Sequence, residues 1–213
     1  MQTIAVIDYG MGNLRSVAKA LEHVAGNNKV VVTSAPELIA AADRIVFPGQ
    51  GAIGAAMQHL QQRGLLEPLT EAISTKPFLG LCLGLQVLMQ HSDEDGGCDG
   101  LNAIRGGVHH FDQLLADVGD RRQYKIPHMG WNSVEQAGPH PLWNKIDQHS
   151  RFYFVHSYYI EPEDSSVVAG WTEYGKKFAC VVARDNLFAT QFHPEKSQHA
   201  GLQLLQNFVH WNC

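Results

Sequence analysis

Short apolar runs alternate with amphipathic stretches through the first part of the chain. Thr3-Ile4-Ala5-Val6-Ile7-Asp8, Lys29 to Thr33, Arg44 to Phe47 and Phe78 to Leu81 are nearly continuous apolar or β-branched runs. That is the pattern of strands buried on both faces. Between the first two, Leu14, Val17, Ala18, Leu21 and Val24 recur at helical spacing, with Asn13 placed to cap the helix and Gly26 to close it. Ser34-Ala35-Pro36-Glu37 has the spacing of a capping box for a short helix. Further helices are predicted from Ala52 to Arg63, ended by Gly64, and from about Leu66 to Ser74. Alternation of this kind predicts an α/β fold with a doubly wound, mostly parallel sheet and crossover helices on both faces. Ligands of such sheets gather at the carboxyl ends of the strands.

The pattern then changes. Asp93 to Gly100 is acidic and glycine-rich, which predicts a loop. From Gly107 the period moves towards two, with turn signals at Ala137-Gly138-Pro139 and Asp185-Asn186. Arg151 to Ile160, Val167 to Tyr174, Lys177 to Arg184 and Leu187 to Gln191 are predicted strands, mostly antiparallel. A helix from Ser197, with Leu202, Leu204, Leu205, Phe208, Val209 and Trp211 on its inner side, packs back on the sheet. With no repeat and no linker, residues 1–213 are expected to form a single domain.

Composition narrows the function classes. A hydrophobic content of 45% is that of a globular protein, and a net charge of −5 gives no footprint for a nucleic-acid backbone. No apolar run is long enough to span a membrane, and Met1-Gln2-Thr3 runs directly into a strand, so no signal peptide is expected. Cys82, Cys98, Cys180 and Cys213 have no CxxC spacing, so a reduced, cytoplasmic protein without disulfides is expected.

Candidate chemistry centres on Phe78-Leu79-Gly80-Leu81-Cys82-Leu83-Gly84-Leu85-Gln86. An apolar strand, a cysteine between glycines and a helical continuation carrying Gln86 and Gln90 predict a nucleophile elbow in its sulfur form. The alternative is an ordinary core cysteine. Pro48-Gly49-Gln50-Gly51-Ala52 is a second strand-end loop, whose backbone amides can approach a ligand closely. The base is sought in Gln191-Phe192-His193-Pro194-Glu195. Pro194 biases His193 to an extended backbone, so the side chains of His193 and Glu195 fall on one side, with the carboxylate orienting the ring. Gly10-Met11-Gly12 has neither a third Rossmann glycine nor a Gly-Lys-Ser/Thr, which disfavours a nucleotide. His109 and His110 point to opposite faces of a strand, and His156 belongs to another, so no metal site is expected. Cys98, Cys180 and Cys213 have no base beside them in sequence.

Gly80-Leu81-Cys82-Leu83-Gly84-Leu85-Gln86 together with Phe192-His193-Pro194-Glu195 resembles the class I (triad) glutamine amidotransferases across the whole chain. Five segments are similar to the glutaminase subunits of imidazole glycerol phosphate synthases: Asp8 to Leu14, Phe47 to Gly51, Pro127 to Asn132, Phe154 to Tyr159 and His193 to Ser197. Leu85 stands where methionine is common, and Gln50 fills a variable position. The resemblance implies a flavodoxin-like core and a catalytic triad of Cys82, His193 and Glu195. It also implies an oxyanion hole from the backbone of Leu83, Gln50 and Gly51. Glutamine would be held by Gln86, Glu94, Gly49, Gly51 and Ser157, with Glu94 facing the ammonium. No cofactor is implied. Ammonia would pass to a partner, a (β/α)8 barrel cyclase, for synthesis of imidazole glycerol phosphate and an aminoimidazole ribotide in histidine biosynthesis. Asn13, Pro127, Met129, Trp131, Tyr153 and Lys196 match positions near that partner.

Other assignments compete with this one. A glutaminase serving pyridoxal phosphate formation is disfavoured by Pro127-His128-Met129-Gly130-Trp131, while a paralogue feeding a surface-sugar pathway stays open. A protease or deglycase with an elbow cysteine needs neither Gln86 nor the His193-Pro194-Glu195 order. A regulatory subunit without turnover is at odds with an intact triad.

Overall fold

The structure is a computed structural model and describes residues 1–213. Its first half follows the predicted alternation: β1 (Thr3–Ile7), α1 (Leu14–Val24), β2 (Lys29–Thr33), α2 (Pro36–Ala41), β3 (Arg44–Gly49), α3 (Ile53–Gln62), α4 (Leu66–Thr75) and β4 (Phe78–Cys82). Asn13 caps α1, its side chain accepting from the amide of Ser16 at 3.3 Å. The capping box does not form. Pro36, with its fixed φ, opens α2, so Ala35 becomes the cap residue, and its amide bonds the Thr33 hydroxyl instead.

After β4 come α5 (Leu83–Val87), β5 (Met89–Ser92), β6 (Cys98–Asp99), β7 (Ile104–His110) and α6 (Phe111–Leu114). The helix carrying Gln86 is therefore only five residues long, and Gln90 lies in a strand. The reason is competition for carbonyls. The returning chain donates from Gly100, Leu101, Asn102 and Ile104 to the oxygens of Gln90, Val87, Met89 and Leu88, which a longer helix would have used.

The remaining elements are β8 (His128–Ser133), β9 (Glu135–Gln136), β10 (Arg151–His156), β11 (Tyr158–Pro162), β12 (Val168–Tyr174), β13 (Lys176–Arg184), β14 (Leu187–Thr190) and α7 (Gln198–His210). The predicted strand Arg151 to Ile160 is broken at Ser157. β10 pairs with β8 in a small antiparallel sheet, while β11 joins the main one. The sheet order is β2-β1-β3-β4-β14-β13-β11-β7-β5-β6, parallel from β2 to β14. Alternate side chains feed two core layers. Ile4 and Val6 join the layer containing Val17 and Leu21 of α1 and Leu204 and Phe208 of α7. Ala5 and Ile7 join the layer of Ile53 and Leu60 of α3 and Leu69 of α4. No helix is long and apolar enough to cross a membrane.

Candidate active site

Register brings the chemistry together. Gly49 at the end of β3 lies opposite Cys82 at the end of β4, and Thr190 at the end of β14 lies opposite Leu81. The Gln50 loop, Cys82 and the segment Gln191 to His193 thus emerge side by side from the carboxyl edge of the parallel strands. Cys82 has φ 55° and ψ −106°, in the left-handed half of backbone space. A non-glycine residue held there carries a backbone cost of about 1–3 kcal/mol, and the surroundings must enforce it. Gly84 is part of that enforcement, since a Cβ there would fall on the Phe47 carbonyl oxygen.

His193 is fixed through its backbone. Its amide donates to the Tyr153 carbonyl at 2.9 Å. The Ser197 hydroxyl donates to the His193 carbonyl at 2.6 Å and accepts from the Tyr153 amide at 2.9 Å. Nδ1 of His193 lies 2.8 Å from Glu195 Oε1, with both side chains almost fully buried. This contact differs in origin from the expected strand alternation. His193 is extended, but Pro194–Lys196 is a 3₁₀ turn that swings the carboxylate back to the ring. Nε2 is the ring nitrogen left for Cys82. It is buried and has no hydrogen-bond partner within the chain. Burial opposes the imidazolium, but Cys82 and Glu195 together outweigh it and raise His193 to about 10. His193 is thus set up to hold a proton beside the sulfur.

In front of the sulfur lies a cleft of about 470 Å³. Gln50, Gly51, Leu83, Gln86, Glu94 and Ser157 are in its wall, and Ala52, Pro127, Val155, His156 and Tyr158 complete it. Glu94 accepts the Ile53 amide at 2.8 Å, at the start of α3, and desolvation raises its carboxyl. The amides of Gln50 and Gly51 donate no hydrogen bond within the chain. Gly49 is not in the wall. It lies beneath, where a Cβ would strike the Tyr9 hydroxyl and Leu83.

In the small sheet, β10 and β8 put Tyr153 opposite Trp131 and Val155 opposite Met129. Met129 and Trp131 are 65% and 37% exposed, so Trp131 is no core residue. The Trp131 and Tyr153 rings meet edge-on at 6.2 Å, and Lys196 Nζ stands 5.8 Å from the Tyr153 ring. The alternate residues His128, Phe152, Phe154 and His156 are buried.

Matching the chain to protein-family models decides its affiliation: the model described as Glutamine amidotransferase class-I covers residues 5–211. The chain belongs to the class I glutamine amidotransferases. It is 56% identical over 210 residues to "Imidazole glycerol phosphate synthase subunit HisH" of Dechloromonas aromatica (strain RCB), covering 99% of this chain and 97% of the relative. It is 54% identical over 213 residues to the protein of the same description from Acinetobacter baylyi (strain ATCC 33305 / BD413 / ADP1), covering 100% of both. Among solved structures, that of PurLQS from Thermotoga maritima matches with a TM-score of 0.72 at 15% identity over 99% of both chains. A putative GMP synthase component from Thermoplasma acidophilum matches with a TM-score of 0.69 at 17% identity, over 99% of this chain and 93% of that one. These two likenesses are of fold.

Three features of this amidotransferase escaped the motif reading. Tyr9 is fully buried beside the elbow, its hydroxyl has no partner, and burial with the Cys82 charge pushes its ionisation far up. His156, in the cleft wall, and His128 form a bonded pair at 2.9 Å, where desolvation lowers them to about 3 and about 4. Gln191, wholly buried, reaches the sulfur itself. The sequence marks its position alone: a primary amide that follows Leu187-Phe188-Ala189-Thr190 and stands two residues before His193.

Proposed function

We propose that residues 1–213 act as one glutaminase domain in which Cys82 Sγ attacks the side-chain amide carbon of L-glutamine. The observation that carries this is the strained Cys82 turn beside a buried His193 that is bonded to Glu195 at 2.8 Å. Attack gives a tetrahedral oxyanion. Donors for it are the Leu83 amide, first in the helix after the elbow, and the free amides of Gln50 and Gly51. One such donor is commonly worth about 3 kcal/mol of barrier. His193 gives its Nε2 proton to the departing nitrogen, so ammonia leaves and a glutamyl thioester remains. Water then adds to the thioester while His193 takes its proton; glutamate departs and the Cys82 thiolate returns. Glu195 holds the ring with Nδ1 protonated and Nε2 facing the reaction. Glu94, on the cleft wall, answers the substrate ammonium, with Gln86, Gly51 and Ser157 around the amino-acid end. Gly49 acts from beneath by supporting the Gln50 peptide.

Ammonia released into neutral water is protonated and lost as a nucleophile, so the product calls for an acceptor enzyme. The relatives' description as subunits of imidazole glycerol phosphate synthase supports a (β/α)8 barrel cyclase as that partner, in the cytoplasm and in histidine biosynthesis. The exposed face of Met129, Trp131, Tyr153 and Lys196 supports the docking site, with Trp131 as an anchor. Pro127, in the cleft wall, and Asn13, at the cap of α1, are assigned to the same interface by the family resemblance. Cys82→Ala is expected to abolish glutamine-dependent synthesis by the complex while leaving synthesis from added ammonia intact. Ammonia release from glutamine by that variant would sink the assignment of Cys82. Glutaminase turnover is expected to be low in the isolated chain and to rise with the partner and its ligand; equal turnover alone would refute the coupling.

A further inference from the structure

Gln191 has no exposed surface, yet both ends of its side-chain amide are engaged. Oε1 accepts from Gln86 Nε2 at 3.1 Å, and Nε2 donates to Cys82 Sγ at 3.7 Å. Its backbone is fixed too, the amide donating to the Cys180 carbonyl of β13 at 2.8 Å. The direction of this short relay is decided at its far end. Gln86 Nε2 also reaches the Tyr158 carbonyl at 3.4 Å, and a carbonyl can only accept. Gln86 therefore presents its NH₂ group to Gln191, which must answer with its oxygen, and the Gln191 NH₂ group is left facing the sulfur. A thiol is a weak acceptor, whereas a thiolate is a strong one, so this donation favours the charged form.

We propose that Gln191 is a positioning residue that holds Cys82 Sγ and stabilises its thiolate, with Gln86 fixing the direction of the donation. The proposal rests on the reading of Cys82 as the glutaminase nucleophile. It gives Gln86 a second task beyond any contact with glutamine. It is separate from the oxyanion donors, which act on the substrate oxygen. The other titratable groups around the sulfur are His193, from the segment after β14, and Tyr9, at the end of β1; Glu195 and His156 act behind His193. Substitution at residue 191 changes none of them.

The test is the pH dependence of Cys82 alkylation by iodoacetamide in the full chain, followed on the Cys82 peptide by mass spectrometry because Cys98 and Cys213 are also free. Gln191→Met keeps the length and removes the donor. Its Cys82 alkylation at pH 7 is expected to slow on the order of tenfold, with the inflection about one pH unit higher. In the complex, kcat for glutamine should fall by a similar factor while KM changes less than about threefold. Gln191→Glu, which turns an acceptor charge on the sulfur, should slow alkylation further. An alkylation profile of Gln191→Met that superimposes on the parent, in a protein that melts normally, overturns the proposal. If both variants at 191 melt early, Gln86→Met decides, because loss of its direction-setting amide must also move the inflection upward, and an unmoved inflection overturns it. Glutamine hydrolysis surviving full alkylation of Cys82 would instead overturn the glutaminase reading, while the alkylation profile would still report on Gln191.

Discussion

The His193–Glu195 contact decides which nitrogen of the ring is protonated, and that is a matter of one carboxylate oxygen. Glu195→Gln keeps the size but offers Nδ1 either a carbonyl or an NH₂ group and removes the buried charge that helps hold His193 as imidazolium. The expected outcome is a fall in kcat of roughly 10²–10⁴ with KM little changed, by analogy with loss of the orienting acid in other triads. The inflection set by His193, now raised to about 10, should move downward. Steady-state glutamine hydrolysis across pH would measure both, and a variant within threefold of the parent would remove Glu195 from the mechanism. At this scale the motif residues were legible because each carries a reactive group at a punctuated position. The roles of Gln191 and Tyr9 were not, since an amide after Thr190 and a phenol between Asp8 and Gly10 point to a sulfur only once the fold brings them against it.

Among the elements, the elbow is the most demanding. Gly84→Ala is expected to push the Phe47 carbonyl, and with it β3, away from the turn. Overpacking of this kind costs about 1–3 kcal/mol. A melting temperature lower by several degrees, with loss of glutaminase activity larger than the loss of folded protein, is the outcome to look for by calorimetry and assay. An unchanged melting temperature would mean the turn is not held by that contact. The elbow and the flanking strands could be read from sequence because buried parallel strands leave near-continuous apolar runs. The end of α5 could not, because it depends on carbonyls claimed by residues 100–104, a contact that local pattern does not encode. The break at Ser157 has the same character. Phe152, Phe154 and His156 alternate cleanly, and only the choice of partner, β8 before the break and β7 after it, divides the segment.

For the whole molecule, buried neutral histidines set the acid limit. Desolvation lowers His156 to about 3 and both His128 and the half-buried His140 to about 4, while an unfolded histidine titrates near 6.5. At these three positions the unfolded chain binds more protons as pH falls from 6.5 towards 4, so their contribution is full above that window and is lost through it, while His193, raised to about 10, acts in the opposite sense above 6.5. Each such histidine contributes a slope of up to about 1.4 kcal/mol per pH unit. Melting temperature should fall steadily from pH 7 to pH 5, and His128→Gln should make the decline shallower; equal slopes would contradict this account. The overall architecture was readable because strand and helix periods change visibly along the chain, but the strand order was not. That order, with β4 seated between β3 and β14, has a consequence for the timing of synthesis. A growing chain carries its cysteine long before its base, and long-range pairings of this kind form late. The thiol therefore passes through the stages at which stray reactions would be most harmful without its activator. Only when one of the last strands closes the middle of the sheet does the protein acquire a nucleophile.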